Sequence, residues 1–75
     1  MLEKRIRFHV VDDIAEFVRA AEKCEYEVAV CSDTAFLDAK SIICVMSMDL
    51  TEVLTVQYRQ EDKEIETVLE KFSIA

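Results

Sequence analysis

The chain has 75 residues, of which 52% are hydrophobic and none is glycine, proline or tryptophan. This length and composition predict a single folded domain over residues 1–75, and they exclude glycine-rich phosphate loops, dinucleotide-binding fingerprints and proline-rich linkers. A net charge of −7, without a basic stripe or an apolar run long enough to cross a bilayer, excludes nucleic acid, anionic membrane surfaces and membrane insertion, so we expect a cytoplasmic protein.

The N-terminal residues predict a strand followed by a helix. Residues 4–10 alternate between apolar and polar side chains, which is typical of a half-buried strand. The inward side chains of this strand are expected to be Ile6, Phe8 and Val10. Asp12 and Asp13 follow as caps of a helix, and Glu16 lies three residues after Asp13, as in a capping box. Apolar residues at helical spacing extend this helix to about Cys24.

Alternation and turn residues predict the elements that follow. Residues 26–30 alternate and form the second predicted strand. Residues 32–34 are polar turn formers, and residues 35–37 form a short third strand. Residues 52–58 alternate again and predict a fourth strand. Residues 61–72 carry apolar side chains at helical spacing, with acidic residues in the first turn, which predicts an amphipathic helix.

The segment at residues 38–49 is ambiguous, because its apolar run Ile42–Met46 suits either a buried strand or two turns of helix. Ser41, directly before the run, is a good helix N-cap. Interpreting the run as a helix gives the order β-α-β-β-α-β-α. This order predicts an α+β fold in which a four-stranded antiparallel sheet carries three helices on one face and leaves the other face to solvent.

The metal-binding residue types are few and far apart in the sequence. The three cysteines are Cys24, Cys31 and Cys44, and the one histidine is His9. An odd number of widely spaced cysteines predicts reduced, mostly buried thiols. A zinc site formed by the three cysteines and His9 is the alternative, but this spacing fits no usual zinc pattern. We therefore expect no metal and no cofactor.

One segment resembles a known family. Residues 38–48 read DAKSIICVMSM, which resembles the second-helix motif of HPr, the phosphocarrier protein of the bacterial sugar phosphotransferase system. In that family the segment commonly reads Asn/Asp-Ala-Lys-Ser-Ile-Met-Gly-Val-Met-Ser-Leu. Residues Ala15–Val18 also resemble the first helix of the family. The resemblance implies an HPr-like open-faced β-sandwich, whose element order is the predicted one.

The resemblance implies two roles for the second helix. In the family, the serine of this helix is a regulatory phosphorylation site for a dedicated kinase, and it matches Ser41. The hydrophobic residues after it dock partner proteins, and they match Ile42, Ile43 and Met46. A helix that lies on a sheet cannot bury an apolar surface on all sides, so we expect part of this run to face solvent. The alternative is that Ser41 is only an N-cap and the run is only core.

The phosphocarrier activity of the family needs a histidine just before the first helix, in a His-x-Arg-Pro-Ala stretch. Counting back from Val18 places Val10 at the histidine position, Asp12 at the arginine and Asp13 at the proline. His9 lies one residue away and is a weak candidate for the phosphoryl acceptor, because the two carboxylates would repel a phosphoryl dianion and compete for the helix amides. The alternative is that His9 is a solvent-facing histidine at a strand end.

Three hypotheses for function follow from the sequence. The first is a binding or regulatory HPr-like relative that is not an efficient phosphoryl carrier. It would dock phosphotransferase-system-like proteins or a serine kinase through the second helix, with Ser41 as its switch. The second is a working phosphocarrier that uses His9. The third is a structural protein that forms a homodimer through the apolar helix. No other catalytic arrangement of residues is visible, so enzymatic activity would at most be phosphoryl carriage.

Overall fold

The computed structural model describes residues 1–74, within which four strands form one sheet and three helices pack against it. The elements in chain order are β1 (Leu2–Ile6), α1 (Val11–Glu22), β2 (Val28–Cys31), β3 (Phe36–Asp38), α2 (Ile42–Met46), β4 (Leu54–Tyr58) and α3 (Lys63–Phe72). The strand order is β1-β4-β2-β3, and each pair of neighbours is antiparallel. The predicted α+β fold and element order are confirmed. None of these helices combines the length and apolar character needed to cross a bilayer.

The inward face of the sheet and the three helices share one hydrophobic core. Buried strand residues pair across the sheet as Ile6 with Leu54, Val30 with Val56, and Val28 with Tyr58. The helices add fully buried side chains, which include Phe17 on α1, Val45 on α2 and Leu69 on α3. The other face of the sheet carries two rows, Arg5–Thr55–Cys31–Phe36 and Glu3–Gln57–Ala29–Asp38. The helices therefore cover one face of the sheet, as predicted.

The first strand is shorter than predicted. It ends at Ile6 instead of continuing to Val10, because the backbone after Ile6 leaves the sheet and bonds to the end of α3. The backbone N–H of Arg7 donates to the carbonyl of Phe72 at 3.0 Å. Phe8 is still buried, and its ring packs 5.5 Å from those of Phe17 and Phe72. Val10 is exposed, so the alternation in the sequence predicted two inward side chains correctly and the third wrongly.

The cap of the first helix also differs from the prediction. The N-cap is Val10, and Asp13 is the third helical residue. The Oδ2 of Asp13 accepts hydrogen bonds from the backbone N–H groups of His9, at 2.9 Å, and Val10, at 3.3 Å. Asp13 thus takes the place of the acidic partner in a capping box, not that of the N-cap. Glu16, predicted as that acidic partner, instead accepts a hydrogen bond from the Lys71 ammonium of α3 at 2.6 Å.

The remaining boundaries differ from the predicted ones by one to a few residues. The turn at residues 32–34 is confirmed, because the Oγ of Ser32 accepts hydrogen bonds from the backbone N–H groups of Thr34 and Ala35. β2 begins at Val28 and leaves Tyr26 in the preceding connection. α3 begins after Asp62, whose carboxylate accepts a hydrogen bond from the backbone N–H of Glu64 at 3.0 Å. In the ambiguous segment 38–49, the apolar run Ile42–Met46 is the short helix α2, not a strand, while Asp38 ends β3.

Candidate functional site

The second helix is short and is fixed at both ends by backbone hydrogen bonds. Before it, the Asp38 carboxylate accepts from the backbone N–H of Lys40 at 2.9 Å, and the Asp38 carbonyl accepts from that of Ser41 at 3.1 Å. These bonds close the turn that separates β3 from α2. After the last helical residue, Met46, the C-cap is Ser47, whose backbone N–H donates to the carbonyl of Cys44. The five residues Ile42–Met46 therefore form little more than one turn.

This single turn leaves three large apolar side chains in solvent. Ile43 is 81% exposed, Met46 is 47% exposed and Ile42 is 42% exposed. Val45 points the other way and is fully buried in the core. The expectation that part of the apolar run faces solvent is therefore met. We call the surface formed by Ile42, Ile43 and Met46 the α2 patch, and its residues are those that the sequence resemblance matched to a docking surface.

Ser41 occupies the N-cap of α2, as predicted, with an extended backbone at φ −102° and ψ 104°. Its side chain makes no capping hydrogen bond, while its carbonyl accepts the first helical bond from the backbone N–H of Val45 at 3.0 Å. Ser41 is half-buried beside the α2 patch. The side-chain oxygen is therefore not committed to capping the helix, which is the role that the simpler interpretation assigned to it.

Lys40 joins the start of α2 to the connection that follows α1. Its Nζ donates a 2.8 Å hydrogen bond to the carbonyl of Cys24, which lies just beyond α1. The Cys24 carbonyl lies two residues beyond Glu22, the last residue of α1, so the ammonium group fixes the connection that follows the helix. The sequence analysis missed this role. No local pattern indicates it, because the bond joins residues sixteen positions apart.

The start of α1 holds negative charge and aliphatic side chains. Val10, at the position matched to the family's histidine, and Val11 are both exposed. Asp12 is exposed, and the Asp13 carboxylate is bonded to the backbone amides of His9 and Val10. The His9 side chain is exposed. An anion at the start of α1 would be repelled by the carboxylates of Asp12 and Asp13. It would also find the backbone amides of His9 and Val10 already bonded to Asp13.

The thiols and His9 do not assemble into a metal site. Cys24 follows α1 and is buried, Cys31 lies on β2, and Cys44 lies on α2. Across residues 1–74, no three side chains of the His, Cys, Asp and Glu types come together in a way that could hold a metal ion. The Sγ of Cys24 instead donates to the carbonyl of Ala20 at 3.6 Å. Burial, with a smaller effect from Glu3, raises the pKa of the Cys31 thiol and keeps it protonated.

Comparison with known proteins gives matches among solved structures. No protein-family model and no curated protein matches the sequence. The structure of HPr-C-His from Thermoanaerobacter tengcongensis superposes with a TM-score of 0.74 at 25% sequence identity, covering 95% of this chain and 93% of that one. The phosphocarrier protein HPr from Bacillus anthracis str. Ames superposes with a TM-score of 0.65 at 19% identity, covering 96% of each chain. The chain is HPr-like.

This HPr-like protein matches both structures over nearly its whole length, so the similarity extends well beyond the second-helix motif. The match to the Bacillus anthracis protein shows the fold alone, because fewer than a quarter of the residues are identical. Two regions of the HPr-like protein are candidates for a functional role. One is the α2 patch with Ser41 at its edge, and the other is the acidic and aliphatic start of α1.

Proposed function

We propose that this HPr-like protein is a binding or regulatory relative of HPr, which docks protein partners through the α2 patch and is not an efficient phosphoryl carrier. The exposure of Ile43, Met46 and Ile42 is the observation that carries the docking half of this proposal. Large exposed apolar side chains that are adjacent on one helix are typical of protein-binding surfaces, and methionine adapts readily to a partner. The likeness to HPr structures supports protein partners in general. A cytoplasmic location is also part of the proposal.

The start of α1 supports the second part of the proposal, which is that the protein is not an efficient phosphoryl carrier. A phosphoryl group held there would have about two negative charges, and each carboxylate about 6 Å away would destabilise it by roughly 1–5 kcal/mol, depending on exposure to solvent. The Asp13 carboxylate also occupies the backbone amides of His9 and Val10, which would otherwise be free to bind such a group. Phosphoryl transfer to His9 is therefore disfavoured by charge and by the loss of hydrogen-bond donors.

Labelling with radioactive phosphoenolpyruvate and the first enzyme of the phosphotransferase system tests whether the protein carries a phosphoryl group. The phosphocarrier protein HPr from Bacillus anthracis is the positive control under the same conditions. We expect the control to be labelled and this protein to incorporate no acid-labile phosphate at a comparable rate. Rapid acid-labile labelling that disappears in His9→Ala would show instead that His9 is a working phosphoryl acceptor.

Ser41 is proposed as a regulatory phosphorylation site beside the α2 patch. Its side chain makes no capping bond, and a phosphate would add about −1.5 to −2 charges at the edge of the apolar surface. Incubation with the HPr serine kinase and ATP should label the wild-type protein and Ser47→Ala equally, since Ser47 lies at the other end of the same helix. Labelling should be lost in Ser41→Ala. Equal labelling of all three proteins, or none, would remove the switch from the proposal.

The same exposed patch supports one alternative function, a homodimer formed by two copies of α2. Light scattering at high concentration separates this alternative from docking to other proteins. A mass of two chains that reverts to one chain in Met46→Asp would establish the dimer. A single chain in both the wild-type protein and the variant would leave the α2 patch available for a different partner.

A further inference from the structure

We infer that a depression on the outer face of the sheet binds an arginine side chain on the surface of a partner protein. This face is the one that the helices leave uncovered, so the site is separate from the α2 patch and does not depend on the proposed docking through α2. We call the depression the outer pocket. Its lining residues on this face are Met1, Glu27, Ala29, Phe36, Asp38 and Gln57.

The shape of the outer pocket follows from one small residue between larger ones. Ala29 of β2 pairs with Asp38 of β3 on one side and with Gln57 of β4 on the other. A methyl group between these longer side chains leaves a gap, and Phe36 lines the same gap. The volume of 230 Å³ is smaller than the roughly 300–1,000 Å³ of sites that enclose whole small molecules. The outer pocket therefore has the size for one side chain of a partner, not for a cofactor.

Phe36 provides an exposed aromatic wall at the edge of the sheet. It is 69% exposed, whereas the other three phenylalanines, Phe8, Phe17 and Phe72, are buried in the core. It lies on β3, which is the last strand in the order β1-β4-β2-β3. The faces of aromatic rings attract cations, and the planar guanidinium group of arginine also stacks on them. The ring is therefore placed to contact a basic side chain.

Hydrogen-bond acceptors predominate among the polar groups of the outer pocket. The Nε2 of Gln57 already donates to the Oε2 of Glu3 at 2.9 Å, while the amide oxygen of Gln57 is free to accept. The Oδ1 of Asp38 accepts from the backbone N–H of Lys40 at 2.9 Å, which leaves Oδ2 available. The Glu27 carboxylate is exposed, and neither of the ion pairs found within residues 1–74 includes it. These groups match a ligand that donates hydrogen bonds.

The basic side chains nearest to the outer pocket do not line it. Arg5 lies on β1 and lines a separate depression of the same face. Arg59 comes directly after β4, at a register position next to Glu27, but it is exposed and belongs to neither ion pair within residues 1–74. Lys40 follows β3, and its ammonium group donates to the Cys24 carbonyl. The outer pocket is therefore not filled by a cation of its own chain.

Charge and the aromatic ring together specify the ligand. The charged groups that line the outer pocket are the carboxylates of Glu27 and Asp38 and the amino group of Met1, so its charge is negative. A guanidinium group has five N–H donors and no acceptor, and it can stack on Phe36 while it donates to the carboxylates. An acidic side chain would be repelled, and an aliphatic one would leave the acceptors without a donor. Arginine therefore fits the size, the charge and the ring.

Two short peptides with blocked ends provide the probes. The central residue, between alanines, is arginine in one peptide and citrulline, its uncharged analogue of similar shape, in the other. Titration into the ¹⁵N-labelled protein, followed by NMR, should show the arginine peptide shifting the amides of residues 27–29, 36–38 and 57. We expect it to bind about threefold to tenfold tighter than the citrulline peptide at low salt. Tighter binding of free arginine than of the peptide would assign the outer pocket to a metabolite and overturn the choice of a protein partner.

Three variants and one control test the cause of binding. Phe36→Leu keeps an apolar side chain but removes the ring, and it should weaken binding of the arginine peptide by about twofold to fivefold. Glu27→Gln should weaken it by about twofold to fivefold, and Ala29→Leu should abolish the shifts by filling the gap. Glu22→Gln, at the exposed end of α1, changes the net charge equally and should alter binding by less than about 1.5-fold.

Three results would overturn the inference. They are equal binding of the arginine and citrulline peptides, no shifts at the amides of the outer pocket, and equal effects of Glu27→Gln and Glu22→Gln. None of these results bears on docking through the α2 patch, because α2 packs against the other face of the sheet.

Discussion

The hydrogen bond from Lys40 to the Cys24 carbonyl offers a quantitative test of how α2 is held on the fold. Lys40→Met keeps the length and the apolar stem of the side chain but removes the ammonium donor at 2.8 Å from the carbonyl oxygen. A hydrogen bond to a charged group contributes about 1.5–3 kcal/mol. Because Lys40 is only half-buried, we expect the free energy of unfolding to fall by about 1–2 kcal/mol.

This loss is large enough to measure in a domain of this size. A change of 1 kcal/mol moves the thermal midpoint of a small domain by about 4–8 °C, so Lys40→Met should lower it by roughly 5–15 °C. Thermal and urea unfolding followed by circular dichroism give the midpoint and the free energy. NMR spectra should show shifted amides at residues 24–28 and 41–46, the two segments that the bond connects.

Lys63→Met is the matched control. It removes the same charge from a chain of net charge −7, but Lys63 is exposed at the start of α3. We expect this control to change the free energy of unfolding by less than about 0.5 kcal/mol. If Lys40→Met and Lys63→Met have equal effects, the loss reflects net charge alone, and the stabilising role assigned to the bond between Lys40 and the Cys24 carbonyl is wrong.

Two further predictions concern the core and the first helix. Burial raises the pKa of Tyr58 above the ordinary tyrosine value of 10.0, and the 2.6 Å hydrogen bond to Glu66 adds to this effect. The protonated tyrosine therefore contributes its full stabilisation below pH 10.0, and the free energy of unfolding should fall as the pH rises above that value. Urea unfolding between neutral pH and pH ~11 should show a shallower decline in Tyr58→Phe than in the wild type, and identical slopes would contradict this assignment. Asp13→Ala should cost about 1 kcal/mol because it removes the acceptor for the His9 and Val10 amides. Asp12→Ala, one residue away, should cost less, and equal losses would show that the general field of the helix, not the specific bonds, provides the stability.

Local patterns predicted much of the fold because they report directly on burial. The apolar spacing of α3 placed Ile65, Leu69 and Phe72 in the core, and the alternation of β4 placed Val56 inward. β1 was extended too far because Phe8 continues the alternation and is buried, although the backbone has already left the strand. Periodicity detects which side chains are buried, not which backbone groups pair, so it could not locate the end of this strand.

The candidate site was less predictable because it depends on contacts between residues distant in sequence. The exposure of the α2 patch could be expected, since a helix on one face of a sheet has a solvent side. The bond between Lys40 and Cys24 could not, because it joins residues sixteen positions apart. The capping of α1 by Asp13 was assigned to the wrong position, since adjacent aspartates offer several cap registers that only backbone geometry distinguishes.

The length of α2 connects the fold to the proposed function. A helix of five residues makes little more than one turn, so it can direct few side chains into the core, and Val45 on α2 is fully buried there. The fold therefore gains little from an isoleucine at position 43, which is 81% exposed, and a polar residue there would leave the free energy of unfolding within about 0.5 kcal/mol. Exposed apolar area at Ile43 that contributes so little to folding supports the proposal that the α2 patch is buried when a partner binds.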